Sequence, residues 1–185
     1  MGYPISMGSA KILRKKTTWL TKWTQVNEKT IVFAGQENEA TYHSLSQYDY
    51  VTILAVTPSM KIPIVRQFRF GIEDYTLELP AGIIEDNESA ESACIRELKE
   101  ETGLVTKKVT FLGKKYADAG RLENSNFMFY VETGEQIEQF QEEPGVEVKF
   151  LSLAEVQLLI LNGKFSQQPH VGLFYEAQIR GCRLD

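Results

Sequence analysis

The sequence predicts an α/β fold: a layered α/β/α sandwich with mixed sheets, preceded by a small antiparallel β-meander. Three observations predict it. Strand-like runs dominate as far as Leu79, one helical stretch interrupts them, and more strands follow before two closing helices. That order differs from the regular alternation of a doubly wound βαβ repeat. The central helical stretch is bounded by N-cap residues at Asp86-Asn87-Glu88-Ser89 and by Gly103. Finally, 185 residues make one domain the default. A chain of this length buries roughly 70% of its unfolded surface and needs no disulfide or structural metal to fold.

The elements follow in order. Residues 1–9 carry Gly, Pro and Ser without periodicity and read as a flexible end or an expression remnant, with the natural start near Met7. Residues 10–47 form the meander. Trp19–Val26, Thr30–Ala34 and Ala40–Leu45 have strand character, with polar turns at Asn27-Glu28 and at Gly35-Gln36-Glu37-Asn38. The main domain spans residues 48–185. Tyr50–Val56 and Ile62–Phe68 are β-branched runs joined by Thr57–Lys61, a spacing that suits a hairpin. Tyr75–Leu79 is a strand closed by Pro80, which cannot donate to a ladder. The central helix spans about Ser89–Thr102, and Val109–Tyr116, Asn126–Glu132 and Val146–Leu151 are later strands. Ser152-Leu153-Ala154-Glu155 is a capping box opening a helix that stops at Gly163. The last helix runs from near Val171 to Arg180, between Pro169 and Gly181.

Composition narrows the function classes. The formal net charge is −5, which argues against a nucleic-acid polymer as partner. A nucleotide substrate stays open, because a bound divalent cation reverses the local charge. The apolar run Val156–Leu161 is too short for a bilayer, and the N-terminal residues lack the charged and apolar regions of a secretory signal. Cys94 and Cys182 form no metal or redox spacing, and Cys94 reads as a small buried residue. A cytoplasmic protein is expected.

The chemistry concentrates in Gly82–Leu104, GIIEDNESAESACIRELKEETGL. Glu97 and Glu101 lie one turn apart on one helix face, and Glu97 and Glu100 are also neighbours. All three sit near the helix C-terminus, where the dipole is already negative and like charges repel. Stability alone would not gather acids there. Bound cations remove the conflict, and hard carboxylate oxygens select Mg²⁺ or Mn²⁺ rather than zinc. Arg96 reads as the counter-ion that orients the carboxylates.

With Gly82, Glu88, Arg96, Glu97, Glu100, Glu101 and Gly103 at fixed spacing, this stretch resembles the box of the Nudix hydrolases at every defining position. The resemblance implies an α/β/α sandwich and a Mg²⁺- or Mn²⁺-dependent pyrophosphohydrolase acting on nucleoside diphosphates linked to another group. It implies Glu97 and Glu101 as metal ligands, Glu100 as a direct or water-mediated ligand, and the backbone carbonyl of Ala81 as a further one. Upstream, Gln67-Phe68-Arg69 and Glu78-Leu79-Pro80-Ala81-Gly82 are similar to the ADP-ribose and ADP-sugar pyrophosphatase branch. That likeness implies Arg69 on the substrate's phosphates or terminal ribose, and Glu78 placing substrate or metal. It also implies a homodimer in which the meander swaps across and helps build the nucleotide pocket. Ala119 stands where ADP-ribose pyrophosphatases usually carry proline, so the substrate is left as a nucleoside diphosphate sugar or ADP-ribose.

Other site candidates lie further out. Arg121 is placed to reach a phosphate or sugar, and Trp19, Trp23 and Tyr42 are suited to stacking a base. In this branch the general base comes from a loop glutamate after the box. Glu142 and Glu143 are the candidates, Glu143 favoured, with Glu147 set aside because it falls in a strand. His170 is expected at a helix cap or on the surface. The expected reaction cuts the pyrophosphate into a nucleoside monophosphate and a sugar phosphate, with the cations activating water. Two other readings compete: a Nudix hydrolase of nucleoside triphosphates or dinucleoside polyphosphates, and a non-catalytic nucleotide-sensing domain. The E-L-P-A-G entry counts against the first, and the complete set of box glutamates counts against the second.

Overall fold

The computed structural model describes residues 9–185, so all but the last residue of the N-terminal segment read as a flexible end lies outside the described residues. Two compact units are present. The first holds three antiparallel strands in the order β1-β2-β3: β1 (Ala10–Trp19), β2 (Gln25–Phe33) and β3 (Ala40–Ser46). Residues 118–124 belong to it, with the Leu45 N–H donating to the Arg121 carbonyl at 2.7 Å.

This unit corrects two expectations. Trp19–Val26 is not a strand but the end of β1, a turn and the start of β2. The Thr21 hydroxyl makes that turn by accepting from the amides of Trp23 and Thr24, each at 3.1 Å. Asn27-Glu28 is not a turn but lies within β2. Asn27 tolerates full burial because Thr17 donates to its Oδ1 at 2.6 Å and its Nδ2 reaches Glu123 at 3.1 Å. Glu123 also accepts from Lys29 and Ser44, tying residues 118–124 to the meander.

The second unit has two sheets. One runs β10-β5-β6, from β10 (Val146–Leu151), β5 (Ile62–Arg69) and β6 (Asp74–Glu78). The other runs β7-β4-β9-β8, from β7 (Ala81–Ile83), β4 (Tyr50–Val56), β9 (Asn126–Gln136) and β8 (Leu104–Lys115). β4 pairs parallel with β9, so the sheet is mixed. Alternation along β4 separates two cores. Leu54 and Val56 pack with Leu173, Phe174 and Ala177 of the last helix, α3 (Gln168–Ile179). Val51, Ile53 and Ala55 pack with Ala93, Cys94 and Leu98 of α1 (Ala90–Thr102). Helix, sheet and helix therefore stack in layers, as the sequence predicts.

The expected β4–β5 hairpin is absent. Both edges of β4 are taken, by β7 and β9, and the Thr57–Lys61 turn sends the chain into the other sheet. Met60 at φ 59° closes that turn. The capping box on Ser152 opens α2 (Leu153–Leu161) as expected. α3 begins earlier than expected, because Pro169 sits inside its first turn, where the missing N–H is harmless.

Candidate active site

The site is built around α1. Ser89 caps its start by accepting from the Ser92 amide, and Gly103 ends it at φ 68°, donating its N–H to the Lys99 carbonyl. Side-chain-free positions shape both ends of the box. A Cβ on Gly103 would meet the Phe140 ring at 2.5 Å, and one on Gly82 would meet the Glu97 carboxyl at 1.9 Å. The hollow over Gly82 on β7 is thus filled by the Glu97 carboxylate.

Arg96 is the hub of the acids. Its Nε and Nη2 grip Glu88 at 2.9 and 2.8 Å, its Nη1 reaches Glu97 at 2.7 Å and Glu100 at 3.0 Å, and Nη2 also donates to the Ile83 carbonyl. This fork geometry is specific to a guanidinium. Burial raises the Glu97 carboxyl above the usual carboxylate range, and the Arg96 hydrogen bond only partly offsets it. Glu101 is buried and accepts the Ala81 N–H at 3.0 Å. Burial pushes its carboxyl up to about 8; the Ala81 amide opposes the shift and Glu97 adds to it.

Beside them, Arg69 on β5 and Glu78 on β6 form a two-bond pair, Nε to Oε1 at 2.7 Å and Nη2 to Oε2. Glu78 is fully buried and also accepts from Thr76 and, at 3.1 Å, from Gln167. Burial pushes Glu78 up, but the bonds from Arg69 and Thr76 prevail and hold it below the usual range. Its oxygens are spent on protein partners, while Arg69 has further N–H groups without a partner among the described residues.

His170 corrects the sequence expectation. It is neither a surface residue nor a helix cap but is buried, and its Nδ1 accepts the Leu79 N–H at 3.0 Å. Burial drives its imidazole down to about 4, against the pull of Glu78. A lone histidine gives no signal of this in sequence, and neither Thr76 nor Gln167 belongs to a motif.

The loop glutamates lie after β9. An open groove of about 530 Å³ runs between Arg96, Lys99 and Glu100 on α1 and the segment holding Ile137 and Phe140. Residues 141–145 continue from there. Glu142 accepts the Val148 N–H at 2.7 Å and Glu147 pairs with Arg66 at 3.0 Å. Glu143 is exposed and makes no side-chain hydrogen bond among the described residues. Trp19, Tyr42 and Arg121 belong to the other unit, where all three are exposed and Arg121 lies 3.9 Å from Asp118.

Among the described residues no three Asp, Glu, His or Cys side chains stand grouped closely enough to hold a metal ion. Glu97 and Glu100 are bonded to Arg96, and Glu101 accepts the Ala81 N–H. The donor set nevertheless fits a hard divalent ion. It is all oxygen, and Glu101 is a buried carboxylate with no cationic hydrogen-bond partner.

The NUDIX domain family matches residues 48–171. The chain belongs to the Nudix family. ADP-ribose pyrophosphatase of Bacillus subtilis is 37% identical over 108 residues, 58% of this chain and 57% of that protein. A Nudix hydrolase of Schizosaccharomyces pombe is 33% identical over 144 residues, 64% of this chain and 70% of that one. ADP-sugar pyrophosphatase of Mus musculus is 60% identical over 40 residues, 22% of this chain and 18% of that one. The chain thus spans little more than half of the Bacillus protein. A crystal structure of an ADP compounds hydrolase shares the Nudix fold with a TM-score of 0.79, at 22% identity, covering 97% of this chain and 99% of that one.

Proposed function

We propose that this Nudix domain is a Mg²⁺- or Mn²⁺-dependent hydrolase of the pyrophosphate bond in nucleoside diphosphate sugars or ADP-ribose, releasing a nucleoside monophosphate and a sugar phosphate. One observation carries the reading: Glu101 is buried, has no cationic hydrogen-bond partner among the described residues, and lies one turn from Glu97 and beside the Arg69–Glu78 pair. Burial without a cationic hydrogen-bond partner disfavours the charged form of Glu101, and a bound divalent ion would restore it. The ADP-ribose and ADP-sugar pyrophosphatases among the relatives support the substrate class.

Each residue has a distinct task in this reading. Glu97, Glu100 and Glu101 would hold the divalent ion, with the Ala81 carbonyl on β7 beside them, and Arg96, bonded to Glu88, Glu97 and Glu100, would orient the carboxylates. When bound, the ion neutralises the diphosphate and makes phosphorus more electrophilic. Arg69, fixed by Glu78, offers its remaining N–H groups to a phosphate. Glu143, whose side chain has no hydrogen-bond partner among the described residues, takes the proton of the attacking water, in preference to Glu142. Trp19 at 63% and Tyr42 at 53% exposure present aromatic faces for a base, and Arg121 a charge for a phosphate. The functional form is a cytoplasmic homodimer completed by the meander.

The test is hydrolysis of ADP-ribose, ADP-glucose, GDP-mannose, UDP-glucose, diadenosine polyphosphates and nucleoside triphosphates with Mg²⁺, Mn²⁺ or EDTA. Glu101→Gln and Glu143→Gln should each lower kcat by about a hundredfold or more. Cleavage of triphosphates alone, or full activity in Glu101→Gln, would overturn the proposal.

A further inference from the structure

The chain passes between the two sheets of the second unit at Leu79-Pro80. Glu78 ends β6 in one sheet, and Ala81 begins β7 in the other. Backbone groups at such a crossing leave one ladder before joining the next. Pro80 has no N–H, and its carbonyl accepts from Ile53 at 2.9 Å. The Leu79 N–H is fully buried and would be an orphan donor. His170 Nδ1 is its partner at 3.0 Å. The N-cap and first turn of α3 thus hold two consecutive points of the crossing, because Gln167 donates to Glu78 and His170 accepts from Leu79.

Both neighbours of the crossing belong to the site. On one side Glu78 fixes the Arg69 guanidinium; on the other the Ala81 amide fixes Glu101. We propose that His170 is a positioning residue: its unprotonated Nδ1, acting through the Leu79 amide, sets the spacing between the Arg69–Glu78 pair and the Ala81–Glu101 contact. The tautomer follows from the bond. Nδ1 accepts, so the ring proton sits on Nε2. Among the described residues no other side chain bonds the Leu79 amide, so removing the imidazole nitrogen leaves a buried donor unpaired and the crossing free to shift. The link to catalysis rests on the function proposed above, while the bond itself does not.

The experiment has two arms. The first reads the wild-type protein by ¹⁵N NMR of the His170 ring and hydrogen exchange of the Leu79 and Ala81 amides. A proton on Nδ1, or fast exchange at Leu79, overturns the proposal whatever the enzyme hydrolyses. The second compares His170→Asn, whose Oδ1 occupies the place of Nδ1, with His170→Leu, which keeps bulk but accepts nothing. The expected result is a kcat about tenfold or more lower in His170→Leu, a KM changed less than kcat, faster exchange at Leu79 and Ala81, and recovery of most of the kcat in His170→Asn. Equal impairment of the two variants assigns the residue to packing and overturns the proposal, as does wild-type kcat and exchange in His170→Leu. If His170→Leu does not fold, wild-type-like kcat and exchange in His170→Asn support the proposal and their loss overturns it. If wild type cleaves no nucleoside diphosphate, the functional proposal has failed, and the NMR arm still judges the bond.

Discussion

The Glu97 carboxylate lies directly over Gly82, where a Cβ would come within 1.9 Å of its carboxyl carbon. The obstacle to a side chain is the far end of a flexible glutamate, not backbone. Gly82→Ala should therefore fold with nearly wild-type thermal stability, because Glu97 swings aside. Activity should nevertheless fall by about ten- to a hundredfold, since the proposed metal ligand Glu97 is displaced. Equal activity in Gly82→Ala and wild type at saturating Mg²⁺ would remove Glu97 from the site.

Arg96 bonds Glu88, Glu97 and Glu100 at once, and among the described residues Glu88 has no other side-chain partner. Arg96→Lys keeps the charge and loses the fork, so it separates charge from geometry. The expected outcome is a rise of about tenfold or more in the Mg²⁺ concentration needed for half-activation, in both Arg96→Lys and Arg96→Ala. A lysine variant with wild-type Mg²⁺ dependence would mean that only net charge matters there.

The legibility of this chain follows from how local each signal is. The α1 caps, the Ser152 box and β4 and β10 rest on nearest neighbours in sequence, and the structure reproduces them. The layered order also follows, since β4 is apolar on both faces. The β4–β5 hairpin failed because loop length alone cannot say that both β4 edges are occupied. Asn27 was misread because its burial depends on Glu123, 96 residues away. His170 was misread for the same reason, its partner amide lying 91 residues upstream. In the site, the α1 carboxylates and Arg96 are legible as one helix face, whereas Thr76, Gln167 and His170 are joined to it only by the fold.

As a proposed metal ligand, Glu101 would give metal binding a pH signature. Its folded pKa of about 8 lies above the ordinary 4.5, so the metal-free folded state holds a proton the unfolded chain has lost. Metal-free stability from this group is full below 4.5 and declines as pH rises toward 8. A divalent ion must displace that proton, so its binding strengthens over the same window. The thermal shift caused by Mg²⁺ should thus be larger at pH 8 than at pH 6, and Glu101→Gln should abolish the difference. A shift independent of pH in wild type would place the ion elsewhere.

His170 acts in the opposite direction. Its folded pKa, near 4, lies below the ordinary 6.5, because burial disfavours the imidazolium. Between those values the unfolded chain binds the extra proton, so stability is full above pH 6.5 and is lost as pH falls toward 4. The full span is on the order of 3 kcal/mol. Glu78, held below its usual range by Arg69 and Thr76, loses stability in acid as well, so the two must be separated by substitution. Denaturant unfolding of wild type and His170→Asn at pH 7 and pH 5 does this. Wild type should lose more stability than the variant between the two pH values, because only wild type carries the buried imidazole. Parallel losses would mean that the histidine is already protonated in the folded protein, and that the Leu79 amide has some other acceptor.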